Sequence, residues 1–277
     1  MSRTILDSRD AIATPATETV RPAQLVRYRR YGLEVAELFF GDRPPEPLPP
    51  LDLLRILGVF EPTSSQRWKR RHTLTVDLTG AEDALFAGMG KSTRYKVRRA
   101  MTRDRLRAET FHLPTPAVLR EFADYFDEFA PSKDLRPMFR PRLDVMARNG
   151  MLVLSRVARE GERPLAWHAY AAGSGHALLM YSASLFRRYA DSAERNMSGR
   201  ANRYLHWHDI VWFKAAGYSA YDLGGIDVSD RDPVTRRINE FKQGFGGRLQ
   251  PTHACTAALS PKGRLARTLL RLGRVDF

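Results

Sequence analysis

His168, Tyr181 and Asp222 are the side chains of this sequence best placed to move a proton. His168 sits in Ala166-Trp167-His168-Ala169-Tyr170, where strand alternation puts it on one face with Tyr170. Tyr181, in the following apolar run, is a phenol suited to protonating a leaving group. Asp222 closes an apolar run just before Gly224-Gly225, at a loop where a carboxylate can reach a substrate. His206 and His208 flank Trp207 on a helical stretch and stand two apart, so they do not converge on one ligand and read as packing and surface. The single cysteine, Cys255, lies outside these groups, which argues against an internal disulfide and a Cys-linked intermediate. No Cys/His spacing resembles a zinc site, and no metal is expected.

A second set of residues suits phosphate. Asn196-Met197-Ser198-Gly199-Arg200-Ala201 precedes a long helical pattern read as 198–216. A helix N-terminus offers unpaired N–H groups and a positive dipole end, Gly199 permits close backbone approach, and Arg200 and Arg203 can pair with phosphate oxygens. Upstream, Lys91, Arg94, Lys96, Arg98, Arg99, Arg103, Arg105 and Arg107 crowd one stretch with only Asp104 among them. Arg94 and Arg98, four apart, share a helix face. That face is either solvated or the seat of an anionic acceptor or a tRNA stem.

The elements that must hold these groups follow from periodicity and punctuation. Residues 25–40 are apolar enough to be ordered, with Tyr31-Gly32 ending a short element. The segment Arg43-Pro44-Pro45-Glu46-Pro47-Leu48-Pro49-Pro50 is a stiff connector of polyproline character. Residues 51–60 read as a short helix or turn. The alternation Thr73-Leu74-Thr75-Val76-Asp77-Leu78 is a strand, and 81–101 is helical with a break at Gly88-Met89-Gly90 and Ser92 as N-cap. A strand at 106–112 and helices opening at Thr115-Pro116 and spanning 142–148 come next. Runs at 151–158, 164–172 and 176–184, separated by Glu160-Gly161-Glu162 and Gly173-Ser174-Gly175, form antiparallel hairpins. After the long helix come a strand at 218–223, a short helix at 235–243 and a last strand at 247–257. This order gives a mixed α/β sheet.

Composition bounds the function. With 277 residues and 43% hydrophobic content the chain folds, and no apolar run approaches the roughly 20 residues needed to cross a bilayer. The polar residues 1–20 lack the apolar core of a secretory signal, and a cytoplasmic protein is expected. A net charge of +14 favours anionic partners. The division expected is a flexible arm at 1–24, an extension with the Pro-rich connector at 25–72, a main domain at 73–257 and a basic amphipathic tail at 258–277. That tail either packs on the domain or touches anionic lipid at the membrane periphery.

Three stretches carry a family resemblance: Lys91-Ser92-Thr93-Arg94-Tyr95-Lys96-Val97-Arg98-Arg99-Ala100, Tyr221-Asp222-Leu223-Gly224-Gly225-Ile226, and Phe241-Lys242-Gln243-Gly244-Phe245-Gly246-Gly247. Together they resemble the GNAT acyltransferase superfamily in its branch shared with Fem-type aminoacyltransferases. The resemblance implies a GNAT-type fold with an incomplete N-terminal extension. It also implies an N-acyltransferase with acyl-coenzyme A as donor substrate, the acyl group passing by direct attack to an amine or hydroxyl of an anionic acceptor such as a cell-envelope precursor. Residues 196–201 would cradle its pyrophosphate, although Asn196 replaces the family's leading Gln/Arg. Phe241 and Lys242 would mark the reaction centre, with Asp222 orienting the acceptor. Arg94 and Arg98 would bind it, the strand around Met180 would stabilise the oxyanion, and His168 or Tyr181 would handle protons. A Fem-like aminoacyltransferase using aminoacyl-tRNA is the first alternative; Fem-type enzymes carry two such folds, many with a coiled-coil arm, whereas the residues before 73 are too few for a complete first copy and no heptads are seen. A non-catalytic nucleic-acid-binding module is the remaining alternative.

Overall fold

The computed structural model describes residues 25–229 and 232–271, with side chains of the last helix described through Leu269. The arm expected at 1–24 and the end of the tail lie outside the described residues. The strands are β1 (Leu25–Arg30), β2 (Leu33–Phe39), β3 (Leu53–Val59), β4 (Lys69–Asp77), β5 (Arg107–Phe111), β6 (Leu152–Ala158), β7 (Ala166–Gly173), β8 (His176–Ser184), β9 (Ala220–Ile226) and β10 (Arg248–Ala258). The helices are α1 (Glu82–Gly88), α2 (Lys91–Thr102), α3 (Pro116–Phe129), α4 (Arg140–Arg148), α5 (Ser192–Ala215), α6 (Pro233–Gln243) and α7 (Pro261–Arg271). All ten strands join one sheet in the order β1-β2-β3-β10-β4-β9-β8-β7-β6-β5.

β6 to β8 form the expected antiparallel meander, and β5 pairs antiparallel with β6 at the sheet edge. β1 and β2 form a hairpin whose turn residues, Tyr31 and Gly32, both have positive φ (52° and 74°), the backbone that matches strand twist in a two-residue loop. Residues 53–59 are a strand rather than the helix or turn expected. They pair in parallel with β2 (Val35↔Leu53 to Phe39↔Leu57) and antiparallel with β10. A short apolar run of this kind carries both periodicities, and only its distant partners decide between them.

β7 is buried along its whole length. Trp167, Ala169 and Ala171 face the layer of α3 and α4 together with Phe122, Phe126 and Leu143. Tyr170 and Ala172 face the layer of α5 with Trp212, Phe213 and Tyr221. Burying each large side chain contributes about 1.5–3 kcal/mol, so these two layers fix the central strands from both sides. The Thr115 side chain caps α3 by accepting from Val118 N at 3.4 Å, and Pro116 takes the first turn, as its sequence indicates. α2 begins at Lys91 with Gly90, not Ser92, at its N-cap and no side-chain cap. α7 packs against the body of the fold through Gly263, where a Cβ would fall 1.9 Å from Asp52 O. No described helix is long and apolar enough to cross a membrane.

Candidate functional site

The sheet opens at its centre. β8 and β9 run parallel but register only at His176↔Ala220, Ala177↔Tyr221 and Leu178↔Asp222. Beyond that point each strand keeps its outer neighbour, β7 up to Ala166↔Ser184 and β4 up to His72↔Ile226, and leaves the other. Gly224 marks the parting: its φ is +76° and a Cβ there would lie 3.2 Å from Leu179 O. Only glycine allows this approach at this φ.

α6 delivers Lys242 into the opening. Its Nζ donates to Gly225 O at 2.7 Å and stands 3.8 Å from the Cβ position of Gly224. Burial holds this ammonium below the usual lysine range, with Asp222 pulling the other way. Asp222 is buried and accepts from the Thr73 hydroxyl and, at 2.7 Å, from Gly224 N. Burial pushes its carboxyl from 3.8 up to about 6, against those hydrogen bonds and Lys242.

A raised folded pKa contributes stability that is complete below the unfolded value and lost as pH rises through the folded one. Moving from 3.8 to about 6 corresponds to about 3 kcal/mol lost between those pH values. Asp222→Asn keeps an acceptor for Thr73 and Gly224 without the charge. Urea unfolding of this variant is expected to show a gain of about that size at pH 8 and almost none at pH 4. Equal shifts at both pH values would remove burial of the carboxylate as the cause.

On the α5 side of the sheet the structure assembles a polar chain. His168, fully buried, places Nδ1 2.8 Å from Asp209 Oδ2 and Nε2 2.7 Å from Asn202 Oδ1. Tyr170 donates to Asp209 Oδ2 at 2.5 Å and lies 2.8 Å from the Tyr221 hydroxyl, which lies 2.6 Å from His206 Nδ1. With both ring nitrogens occupied, His168 braces the interior and does not present a base to a substrate. Tyr181 projects to the opposite face, where its hydroxyl accepts from Arg142 Nη1 at 2.9 Å and its ring meets Phe126. The sheet separates it from His168.

The phosphate set is rearranged most. α5 starts at Ser192, with the Asp191 side chain accepting from Glu194 N at 3.0 Å, so residues 196–201 lie inside the helix. Already at Arg195 the N–H donates to Asp191 O at 3.1 Å, and Asn196, Ser198, Gly199 and Ala201 have no free helix-terminal N–H groups to offer. Ser198 is buried with its Oγ 2.8 Å from Ser184 Oγ. Arg200 is spent on Asp104 at 2.5 and 3.0 Å. Arg203 donates to Gly199 O at 3.0 Å and spreads its guanidinium 4.7 Å from the Phe241 ring centroid, beside Lys242. Arg94 clamps the bend between α1 and α2, donating to Ala87 O at 2.6 Å and to Met89 O. Arg98 is exposed over Phe86.

The structure therefore joins Asp222, Phe241, Lys242 and Arg203 at one opening and disperses the rest. It adds residues that sequence reasoning passed over: Tyr170, Asn202, His206, Asp209 and Tyr221. Asn202, His206 and Asp209, spaced by four and three, form a polar stripe on the buried part of α5, which was the available signal. Positive charge accumulates here, since the field of Arg203, then burial, then Arg200 hold Lys96 below its usual range. Among the described residues no grouping of His, Cys, Asp and Glu suits a metal ion.

No protein-family model matches the sequence, and no curated protein matches it. Solved structures do match in fold. FemX superposes over 83% of this chain and 83% of its own, with a TM-score of 0.57 and 13% identity. L-PGS from Bacillus licheniformis superposes over 92% of this chain and 90% of its own, with a TM-score of 0.53 and 14% identity. The chain has the mixed α/β fold that these two proteins share.

Proposed function

We propose that the chain is an aminoacyltransferase that takes its acyl group from an aminoacyl-tRNA ester and passes it to an amine in the opening between β8 and β9. The observation that carries the choice of donor is the start of α5. The stretch suited to a coenzyme pyrophosphate lies in the helix interior, and the true first turn is flanked by the carboxylates of Asp191 and Glu194. A pyrophosphate there would meet like charge. Meanwhile Lys91, Arg98, Arg103, Arg105 and Arg107 stand exposed on and after α2, on the same side of the sheet as α5, a spread of cations suited to a nucleic-acid backbone.

The acyl carbonyl would sit beside Lys242, whose ammonium donates to the oxygen as it gains charge. Unpaired N–H groups of β8 past Leu178 would assist. Asp222 would orient the acceptor nitrogen. Attack forms the N–C bond, the ester C–O bond breaks, and the ribose oxygen leaves with a proton. Such a donor implies a cytoplasmic enzyme, and the cations around Arg203 and Lys96 suit a phosphate-bearing acceptor.

An acyl-coenzyme A donor is the second reading, favoured by the position of the α5 N-terminus just after β8. Both are tested together by filter binding at matched ionic strength with charged tRNA, uncharged tRNA, acyl-coenzyme A and ATP, followed by transfer of label to a small amine. Tighter retention of charged than uncharged tRNA, with transfer, is the expected result. Saturable coenzyme binding above ATP, without a preference for charged tRNA, would replace it with the second reading. Equal binding of both tRNAs with steep salt dependence and no transfer would leave a nucleic-acid-binding module.

A further inference from the structure

With Asp209 taken as a carboxylate, the polar chain behind the opening has one consistent direction of hydrogen bonds. Asp209, as a carboxylate, accepts. Tyr170 has a single proton and directs it to Asp209 Oδ2 at 2.5 Å, so its oxygen accepts from Tyr221 at 2.8 Å. The Tyr221 proton is then spent, and its oxygen accepts from His206 Nδ1–H at 2.6 Å. His168 Nδ1 also faces Asp209 Oδ2, at 2.8 Å, and adds a second donor to the same terminus. The same Nδ1–H also lies 3.0 Å from the Tyr170 oxygen and is shared with it; each hydroxyl donates once, and the carboxylate sets the direction. The consequence appears at the far end: His206 is the Nδ1–H tautomer and its Nε2 carries a lone pair.

His206 is walled by groups that favour that neutral form. From α5 it feels Arg203, from α6 Lys242, and from β7 His168, whose ring centroid is 4.2 Å away. Tyr221 of β9 holds its Nδ1, while Phe241 and Phe245 pack on its ring at 5.6 and 4.6 Å. Among the described residues no protein group bonds its Nε2. Burial together with the charges of His168, Lys242 and Arg203 pushes the imidazole well below its ordinary range. A neutral imidazole thus stands next to Phe241-Lys242, at the reaction centre of the proposed transfer.

We propose that His206 is the general base of the transfer and that Tyr221, Tyr170 and Asp209 position it as a relay of hydrogen bonds. Its Nε2 takes the proton from the acceptor nitrogen as the N–C bond forms and returns it to the departing ribose oxygen as the C–O bond breaks, so no proton or electron is left over. The assignment rests on the transferase reading. It differs from that reading in what it requires of His206.

The test has two arms on the full chain. Nitrogen-15 NMR of histidine-labelled protein is expected to show His206 as the Nδ1–H tautomer from pH 6 to pH 8, and Tyr221→Phe to mix in the Nε2–H form. This arm needs no substrate. In the second arm, label transfer from charged tRNA to a small amine is expected to fall about 10²–10⁴-fold in His206→Gln with donor binding retained. Tyr221→Phe should fall less and move the pH–rate profile, which a purely structural role would not do. An imidazolium or Nε2–H tautomer in the unsubstituted protein overturns the relay. An active unsubstituted protein with an equally active His206→Gln overturns the base alone. An unsubstituted protein that transfers nothing from charged tRNA overturns the transferase reading, and the base assignment with it.

Discussion

Lys242→Met is expected to lower the rate of acyl transfer by about 10²–10³-fold while leaving donor binding nearly unchanged. That is the range seen when one preorganised donor to a developing oxyanion is removed. Methionine keeps most of the unbranched stem, so packing beside Phe241 survives and the ammonium alone is lost. The expectation has a geometric basis. Nζ is tethered to Gly225 O at 2.7 Å, at the point where β8 and β9 part, so it is already in place before substrate arrives. Lys242→Arg is expected to be nearly as poor, because a planar fork does not fit where a point charge fits over the glycine pair. Single-turnover kinetics separate the two roles the lysine can have. A fall in rate at saturating donor supports transition-state stabilisation; a loss expressed only in donor affinity would reduce Lys242 to an anchor.

Glu37→Ala is expected to destabilise the fold by about 3–5 kcal/mol, the cost of leaving a buried charge without its partner. Glu37 is fully buried on β2 and receives Arg142 Nε of α4 at 2.6 Å together with the guanidinium of Arg55 on β3. Burial alone would raise its pKa, but Arg142 and then Arg55 outweigh it and hold the carboxyl below its ordinary value. A lowered folded pKa gives stability that is present above the unfolded value and lost as pH falls through the folded one, so this cluster also helps set the acid limit of the fold. The control is Glu37→Met with Arg142→Met, which replaces charge by apolar volume. Urea unfolding should show the double variant losing clearly less than the two single changes combined. Additive losses would mean that the pair does not interact.

How much of this could be read beforehand depended on the range of the interactions involved. The meander β6–β8 was legible because its turns are local: Ser174 and Gly175 take positive φ of 48° and 76°, and the glycine announces it. β3 was not legible, because Leu53-Leu54-Arg55-Ile56-Leu57 becomes a strand only through β2 and β10. The start of α5 was legible and was missed. Asp191-Ser192-Ala193-Glu194 has the spacing of an N-terminal capping signal, and the glycine pattern further on drew the boundary six residues too late. Asp222 stands out in the sequence through the glycine loop that follows it, and Lys242 through the motif around it, both short-range features. His206 reads as packing in the sequence and is indeed buried against Phe241 and Phe245, while its spacing to Asn202 and Asp209 is what marks the polar stripe of α5. Tyr170 and Tyr221 come from strands with β8 between them, and a linear reading cannot bring them together.

β10 lies between β3 and β4 and is antiparallel to both. During synthesis, then, β1–β4 leave the ribosome long before the strand that unites them. Until β10 is made, β3 and the β10-facing side of β4 present unpaired edges, each a template for pairing with another nascent chain. In the finished sheet β10 is the strand that joins β1-β2-β3 to β4-β9-β8-β7-β6-β5, and it is the last to be made. Such late closure predicts slow refolding, a need for chaperone shelter, and a sharp loss of soluble product for any chain that stops short of residue 258.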